Sequence, residues 1–369
     1  MQHPRTLKSL CGRIRGTMLE KKKALKYLAI FILIQMLALV LIVTLFDPFY
    51  QYHKPLPGLK TVLFERETQV PGSIQTLDYD SVLLGTSVVE NCDSAYLDAQ
   101  FGCKTLKIVK GSGSNADLLY YLDMAHAEQE LQYVFWGIDW HMLTSPTEVT
   151  VINEYSPSYL FTENPLDNFT YHFNKDVIFK KIPLMVAYSF ADINTGGAAY
   201  DWSDDKDFSA TKAMQDYNKP AEAAPAADYT DKISLIQENI TMIVQEIQSH
   251  PDTEYYLLFP PYSLLMWDDV YTSGRGDMYF YMLDEMMEAL LPLENAKVYY
   301  FQADKEIVCN LDNYMDKMHY SPEINQLMLE SIVAGNYLVT EENAEDVKQN
   351  MSETYKYIIK EGIYQYYEK

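Results

Sequence analysis

Twenty consecutive uncharged residues, Tyr27 to Phe46 (YLAIFILIQMLALVLIVTLF), constrain this chain more than any other feature. As a helix rising about 1.5 Å per residue they cover about 30 Å, the thickness of a bilayer's hydrocarbon core. On the N-terminal side, residues 1–26 hold eight Lys or Arg against one acid, Glu20. A basic flank predicts that this end stays in the cytoplasm. The run is longer than the core of a cleavable signal, and no small-x-small site follows it. Asp47-Pro48-Phe49-Tyr50 ends the helix with aromatics at interface depth. The expectation is an uncleaved signal anchor in a cell membrane. It has a basic cytoplasmic arm (1–26), one span (27–46) and a C-terminal body outside the cell.

That body is acidic. Eight of the 29 Lys and Arg and one of the 52 acids lie in residues 1–26, so the remainder of the 369-residue chain carries a formal charge of −30. Such a surface excludes nonspecific nucleic-acid binding. The 31 Tyr and 15 Phe serve either half-buried packing or surfaces for amphipathic ligands such as carbohydrates. Of the four cysteines, Cys11 falls in the cytoplasmic arm and the other three make no complete disulfide set. Cys92 and Cys103 either close a short loop in an oxidising compartment or stay as small buried thiols. No metal and no cofactor is expected. There is no CxxC and no Walker loop, and Gly111-Ser112-Gly113 lacks the rest of a dinucleotide fingerprint. Asp201, Asp204, Asp205 and Asp207 crowd one stretch without EF-hand spacing and read as a solvated loop.

Residues 47–79, with Pro55, Pro57 and Pro71, read as a stalk. An α/β domain is expected over 80–335. Apolar runs at 80–85, 104–109 and 131–136 read as strands, and the periodic stretches 87–101 and 116–130 read as helices between them. This β-α-β-α-β rhythm predicts a parallel sheet. Residues 142–228 break it and read as an insertion, a lid or substrate wall. The pattern then resumes with a helix at 230–249, a strand at 255–259, a helix at 277–291, a strand at 297–301 and a helix at 322–334. The acidic, Tyr-rich tail 336–369 reads as surface helices.

Two places carry chemistry. Ser87 follows the strand Ser81-Val82-Leu83-Leu84-Gly85. A hydroxyl at a strand-to-helix turn has free backbone N–H groups beside it, which suits an attacking serine and its oxyanion. The bland reading makes Ser87 the cap of a helix, with Glu90 completing a capping box. Asn91, a turn further on, could donate into the site. The second place is Asp316-Lys317-Met318-His319, in a loop after the last strand. His319 would take the Ser87 proton and Asp316 would orient the imidazole. Asp123-Met124-Ala125-His126 repeats the spacing, but falls mid-helix away from the strand ends and reads as a surface pair.

The order Gly-x-Ser after the first strand, a glycine loop after the second, Gly137-Ile138-Asp139 after the third and a late Asp-x-x-His resembles the SGNH/GDSL hydrolase superfamily. The resemblance covers about two-thirds of the chain. It implies a flavodoxin-like three-layer α/β/α sandwich, here with an N-terminal transmembrane helix and a large insertion. It also implies Ser87 as nucleophile, Gly111 or Gly113 as an oxyanion N–H donor, and Asp316 and His319 as the remaining triad. The anchored layout is similar to cell-envelope proteins that act in teichoic-acid D-alanylation and alginate O-acetylation. The runs Asp47-Pro48-Phe49, His53-Lys54-Pro55-Leu56-Pro57-Gly58 and Leu84-Gly85-Thr86-Ser87 resemble bacterial membrane proteins, mostly Gram-positive.

Two departures stand out. The nucleophile block reads Gly-Thr-Ser without an acid before the serine. The third block carries Asp139 where an oxyanion-donating Asn belongs, and an ionised carboxylate cannot donate. Either Asp139 turns away and Asn91 or Asn115 donates, or Asp139, Trp140 and His141 form a substrate-binding edge. The expectation is a serine esterase or O-acyltransferase acting on a surface glycan or polymer, with a membrane-bound partner as possible acyl donor. The competing expectation is a non-catalytic glycan-binding or scaffolding domain of an envelope complex.

Overall fold

The computed structural model describes residues 5–162, 164, 167–220 and 222–367, with side chains from Glu20 onward. The side chains of the basic arm up to residue 19, including Cys11, lie outside the described residues.

Helix α1 (Arg5–Phe46) contains one stretch, Glu20–Phe46, long and apolar enough to cross a membrane. Its large side chains are bare, Leu25 and Leu41 each at 67% exposure. In the last turn Leu45 is still exposed but Val43 is buried, in one cluster with Phe49, Leu160, Tyr171, Val177 and Ile182. The elbow after the helix is built on Asp47. Its carboxylate accepts from the Gln51 N–H (3.0 Å), the Tyr52 N–H (2.7 Å), the His53 N–H (3.2 Å) and the Tyr171 hydroxyl (2.8 Å). Asp47 itself sits at φ 40°, a left-handed conformation that aspartate tolerates better than most residues.

The segment 47–79 is not a stalk. It contains α2 (Arg66–Thr76), and Tyr50, Leu63, Val70, Ile74 and Leu77 belong to the main core. Pro71 sits inside that helix, and Gly72 lies so close to the Phe49 carbonyl that a Cβ would be 2.2 Å away. The proline marks packing rather than an extended linker.

Strands β1 (Ser81–Gly85), β2 (Thr105–Val109) and β3 (Tyr133–Gly137) alternate with α3 (Ser94–Phe101) and α4 (Asn115–Glu128). After the insertion, which holds short helices α5 (Phe169–His172), α6 (Ile182–Ala191) and α7 (Ala210–Met214), come α8 (Thr230–Ser249) and β4 (Glu254–Phe259). Then follow α9 (Leu264–Thr272), α10 (Gly276–Leu290), β5 (Ala296–Tyr300), α11 (Lys305–Val308), α12 (Pro322–Ala334), β6 (Leu338–Val339) and α13 (Ala344–Tyr357). The sheet runs β2-β1-β3-β4-β5-β6, parallel except for β6. Helices α2, α4, α8 and α10 pack in series, while α3 packs on α12. The C-terminal segment is more than a surface addition: Val339, Met351, Ile358 and Ile363 are buried in the main core.

β1 and β3 are neighbours, and the connection after β1 runs to β2 on one side while the connection after β3 runs to β4 on the other, so the strand order reverses between their carboxyl ends. Open α/β sheets bind ligands at such a point. Val89 plugs the opening between β1 and β3. A Cβ on Gly85 or Gly137 would each stand 2.5 Å from a Val89 methyl, so both strands end in glycine to admit it.

Candidate active site

No helix begins at Ser87. Residues 86–92 form turns, with Val89 N–H on the Thr86 carbonyl (3.2 Å) and Cys92 N–H on that of Val89 (3.1 Å). Helix α3 starts seven residues later, capped by Asp93. The capping box expected at Ser87 is therefore absent, and Glu90 pairs instead with the Arg66 guanidinium. Burial pushes the Glu90 carboxyl above its usual range, against the pull of that guanidinium. The Asn325 amide donates to the Val88 carbonyl (3.0 Å), tying the turn to α12.

The 316–319 loop is held from both ends. Tyr314 and Tyr320 bridge across its base and the Met315 N–H donates to the His319 carbonyl (3.0 Å). Ser263, at the start of α9, donates through N and Oγ to the Lys317 carbonyl (3.1 and 2.9 Å). One oxygen of Asp316 accepts from the Met318 and His319 N–H groups (2.8 Å each). The other lies 2.7 Å from His319 Nδ1, and His319 Nε2 lies 2.9 Å from Ser87 Oγ. An ionised carboxylate only accepts, so Nδ1 carries the proton and Nε2 accepts from the serine hydroxyl.

Burial pulls the His319 imidazole down, but the hydrogen bond and charge of Asp316, with Asp139 and Glu90 behind, hold it above its ordinary 6.5. Burial likewise raises Asp316, and the contacts from His319 and Met318 overcome it, so this carboxyl lies below its ordinary 3.8. Each partner favours the charged form of the other.

Asp139 is fully buried, and its two oxygens accept from the Thr86 and Tyr262 hydroxyls. Its role is to pin the residue before Ser87 to the end of β3. The substrate-edge alternative fails because Trp140 is buried and His141 Nε2 rests against the Gly113 carbonyl at 3.2 Å.

The other expected donors separate cleanly. The Asn115 amide is spent on the Asn239 carbonyl (3.0 Å), so Asn115 is not an oxyanion donor; Ser114 and Asp117 form the capping box of α4. The Gly113 N–H is taken by the Lys110 carbonyl (3.0 Å). The Gly111 N–H has no partner among the described residues, and Arg66 fills the space a Cβ there would need. Asn91 is buried, its Oδ1 accepts from the Trp202 N–H (3.1 Å), and its Nδ2 is without a partner among the described residues. Asn91 and Gly111 thus keep free donors.

Trp202, Arg66 and Ser263 escaped the sequence reading. The Trp202 indole donates to the Ser87 carbonyl (3.0 Å), and its ring meets His319 edge-on at 5.3 Å. Trp202 comes from the insertion, where no periodicity marks it. Beyond His319 an open cleft of about 600 Å³ is lined by Tyr217, Asn218, Asp269, Arg275, Lys317 and Met318, among others. Polar groups of both signs beside an aromatic ring suit a hydroxyl-rich ligand.

Asp123–His126 is not a surface pair. His126 turns inward and stacks on His250 (centroids 3.6 Å, planes 8° apart), and both reach Glu246 (3.3 and 3.1 Å). These residue types bind metals, but stacked parallel rings aim their lone pairs along separate planes, so no one ion position suits both. Cys92 and Cys103 are free thiols, Cys92 buried under the Asn325 amide (3.2 Å). Compared with family models, with curated proteins and with solved structures, the chain matches none.

Proposed function

We propose that this protein is a membrane-anchored serine esterase or acyltransferase of SGNH-like, flavodoxin-like build. The observation that carries the reading is the continuous relay Ser87 Oγ–His319 Nε2 and His319 Nδ1–Asp316. Supporting it, Ser87 and Asp139 follow neighbouring strands at the reversal point, and the strand order 2-1-3-4-5 is the flavodoxin-like one.

In this reading Ser87 attacks an ester carbonyl as His319 accepts its proton. The tetrahedral oxyanion is met by the Asn91 amide and the Gly111 N–H. His319 returns the proton to the leaving alkoxide, and an acyl-serine remains. Water or an acceptor hydroxyl resolves it by the same steps reversed, which gives hydrolysis or transfer. The acyl group is carried on a cell-surface polysaccharide or polymer, and the anchor sets the site outside the cell membrane.

The test is labelling of the full chain by a fluorophosphonate probe. Wild type is expected to label, Ser87→Ala not at all, and His319→Gln at least ~10³-fold more slowly. Folded wild type that resists the probe would sink the catalytic reading and leave the glycan-binding one.

A further inference from the structure

The insertion carries an apolar surface that the catalytic reading does not use. The turn Val177–Lys181 runs into α6 and forms one helical rod. Val177, Ile182, Met185 and Ser189 are its buried side. On the other side Phe179, Pro183, Ala187 and Phe190 are exposed at helical spacing, Phe179 at 75% and Phe190 at 77%. Phe169, at 58%, lies just upstream in α5. Outside the apolar span of α1, no described large hydrophobic is more exposed than these two phenylalanines. Leaving such a face in water is costly, so something covers it.

Its position says what. Val177 and Ile182 share one buried cluster with Val43, in the last turn of α1, and the turn Val177–Lys181 lies against α1, so the rod begins where the anchor ends. Leu41 and Leu45, exposed on that same stretch of α1, need the same apolar medium. Lys175 and Lys180 are exposed beside the phenylalanines, Lys180 paired with Asp176 (2.9 Å), and their stems can lie along the apolar boundary with the charged ends toward the headgroups. A second protein would explain the aromatic face, but not its continuity with a helix that is bare toward lipid.

Resting on the anchored reading, we propose that the Phe179–Phe190 face lies in the headgroup boundary of the membrane that α1 crosses, as an in-plane interfacial helix. The insertion then touches the bilayer with one part and, through Trp202, Ser87 with another.

The test uses the full chain in phosphatidylcholine–phosphatidylglycerol vesicles whose acyl chains are brominated near the carbonyl in one set and near the chain end in a second, because position 37 lies at mid-bilayer depth and is read with the second set. Phe179→Trp and Phe190→Trp are read as emission added over the parent chain, with Leu37→Trp in α1 and Val333→Trp in α12 as references. These are exposed positions, so folding is expected to survive, and the parent melting curve checks it. Quenching at 37, 179 and 190 but not 333 supports the proposal. Quenching at 37 alone overturns it and leaves the anchor intact. Blue-shifted but unquenched emission at 179 and 190 means that a second copy of the chain covers the face and also overturns it. No quenching at 37 sinks the anchor, and this inference with it. Quenching at 333 as well means that the domain lies down by another face, which overturns the stated orientation.

Discussion

Among single residues, His319 makes the sharpest prediction. On the catalytic reading it must be neutral to accept the Ser87 proton, and its surroundings hold it above 6.5. Activity on a model ester is therefore expected to fall on the acid side through a value above 6.5, seen in the pH profile of kcat/KM. Asp316→Asn removes the main cause. It should move that limb to lower pH and cut kcat by about 10³–10⁴-fold. The linkage sign runs the other way for stability. A raised folded pKa makes a contribution that is full below 6.5 and lost as pH rises through the folded value. Ser87 was legible as a candidate because it follows an apolar strand, and Asp316 and His319 because of their spacing, although α11 separates them from β5. Asp139 was legible as an anomaly but not as a solution, because its partners Thr86 and Tyr262 stand 53 and 123 residues away.

Elements were read well where periodicity is strong and poorly where packing overrides it. The strands and the helices between them follow the expected order. The helix expected at Ser87 failed because Val89 must drop between two strand ends, which holds residues 86–92 in turns instead. The expected stalk fails because Pro71 lies inside α2 and Gln69 stitches that helix to the elbow through the Pro48 and Val62 carbonyls (2.8 and 3.0 Å). The Val89 plug gives an element-scale test. Gly137→Ala puts a methyl into it and should cost about 1–3 kcal/mol in denaturant unfolding, with Ser87 labelling slowed. Adding Val89→Ala should recover most of the labelling, because the clash is with that side chain alone. Two independent, additive losses in the double mutant would mean that the turn is held by something else.

For the whole molecule, the decisive contact is the elbow at Asp47. Asp47→Ala leaves the Tyr171 hydroxyl and three N–H groups without their acceptor, at an expected cost of about 2–4 kcal/mol. Proteolysis in the 142–228 insertion should speed up while cleavage elsewhere stays slow; unchanged cutting there would mean that the insertion is held without the elbow. Nothing in the apolar run announced this joint. Three of its donors follow Asp47 within six residues, but the fourth, the Tyr171 hydroxyl, comes from a segment more than 120 residues later.

A domain joined by slack chain would sweep a volume around its anchor. Here the last turn of α1 is itself packed at Val43, and Tyr50 and the following α2 belong to the main core. On the anchored reading, Ser87 therefore keeps one elevation and one heading above the bilayer. On the proposed catalytic reading as well, acyl groups carried lower or higher on a surface polymer would pass it by, and distance from the membrane becomes a ruler that selects which units of the chain are modified.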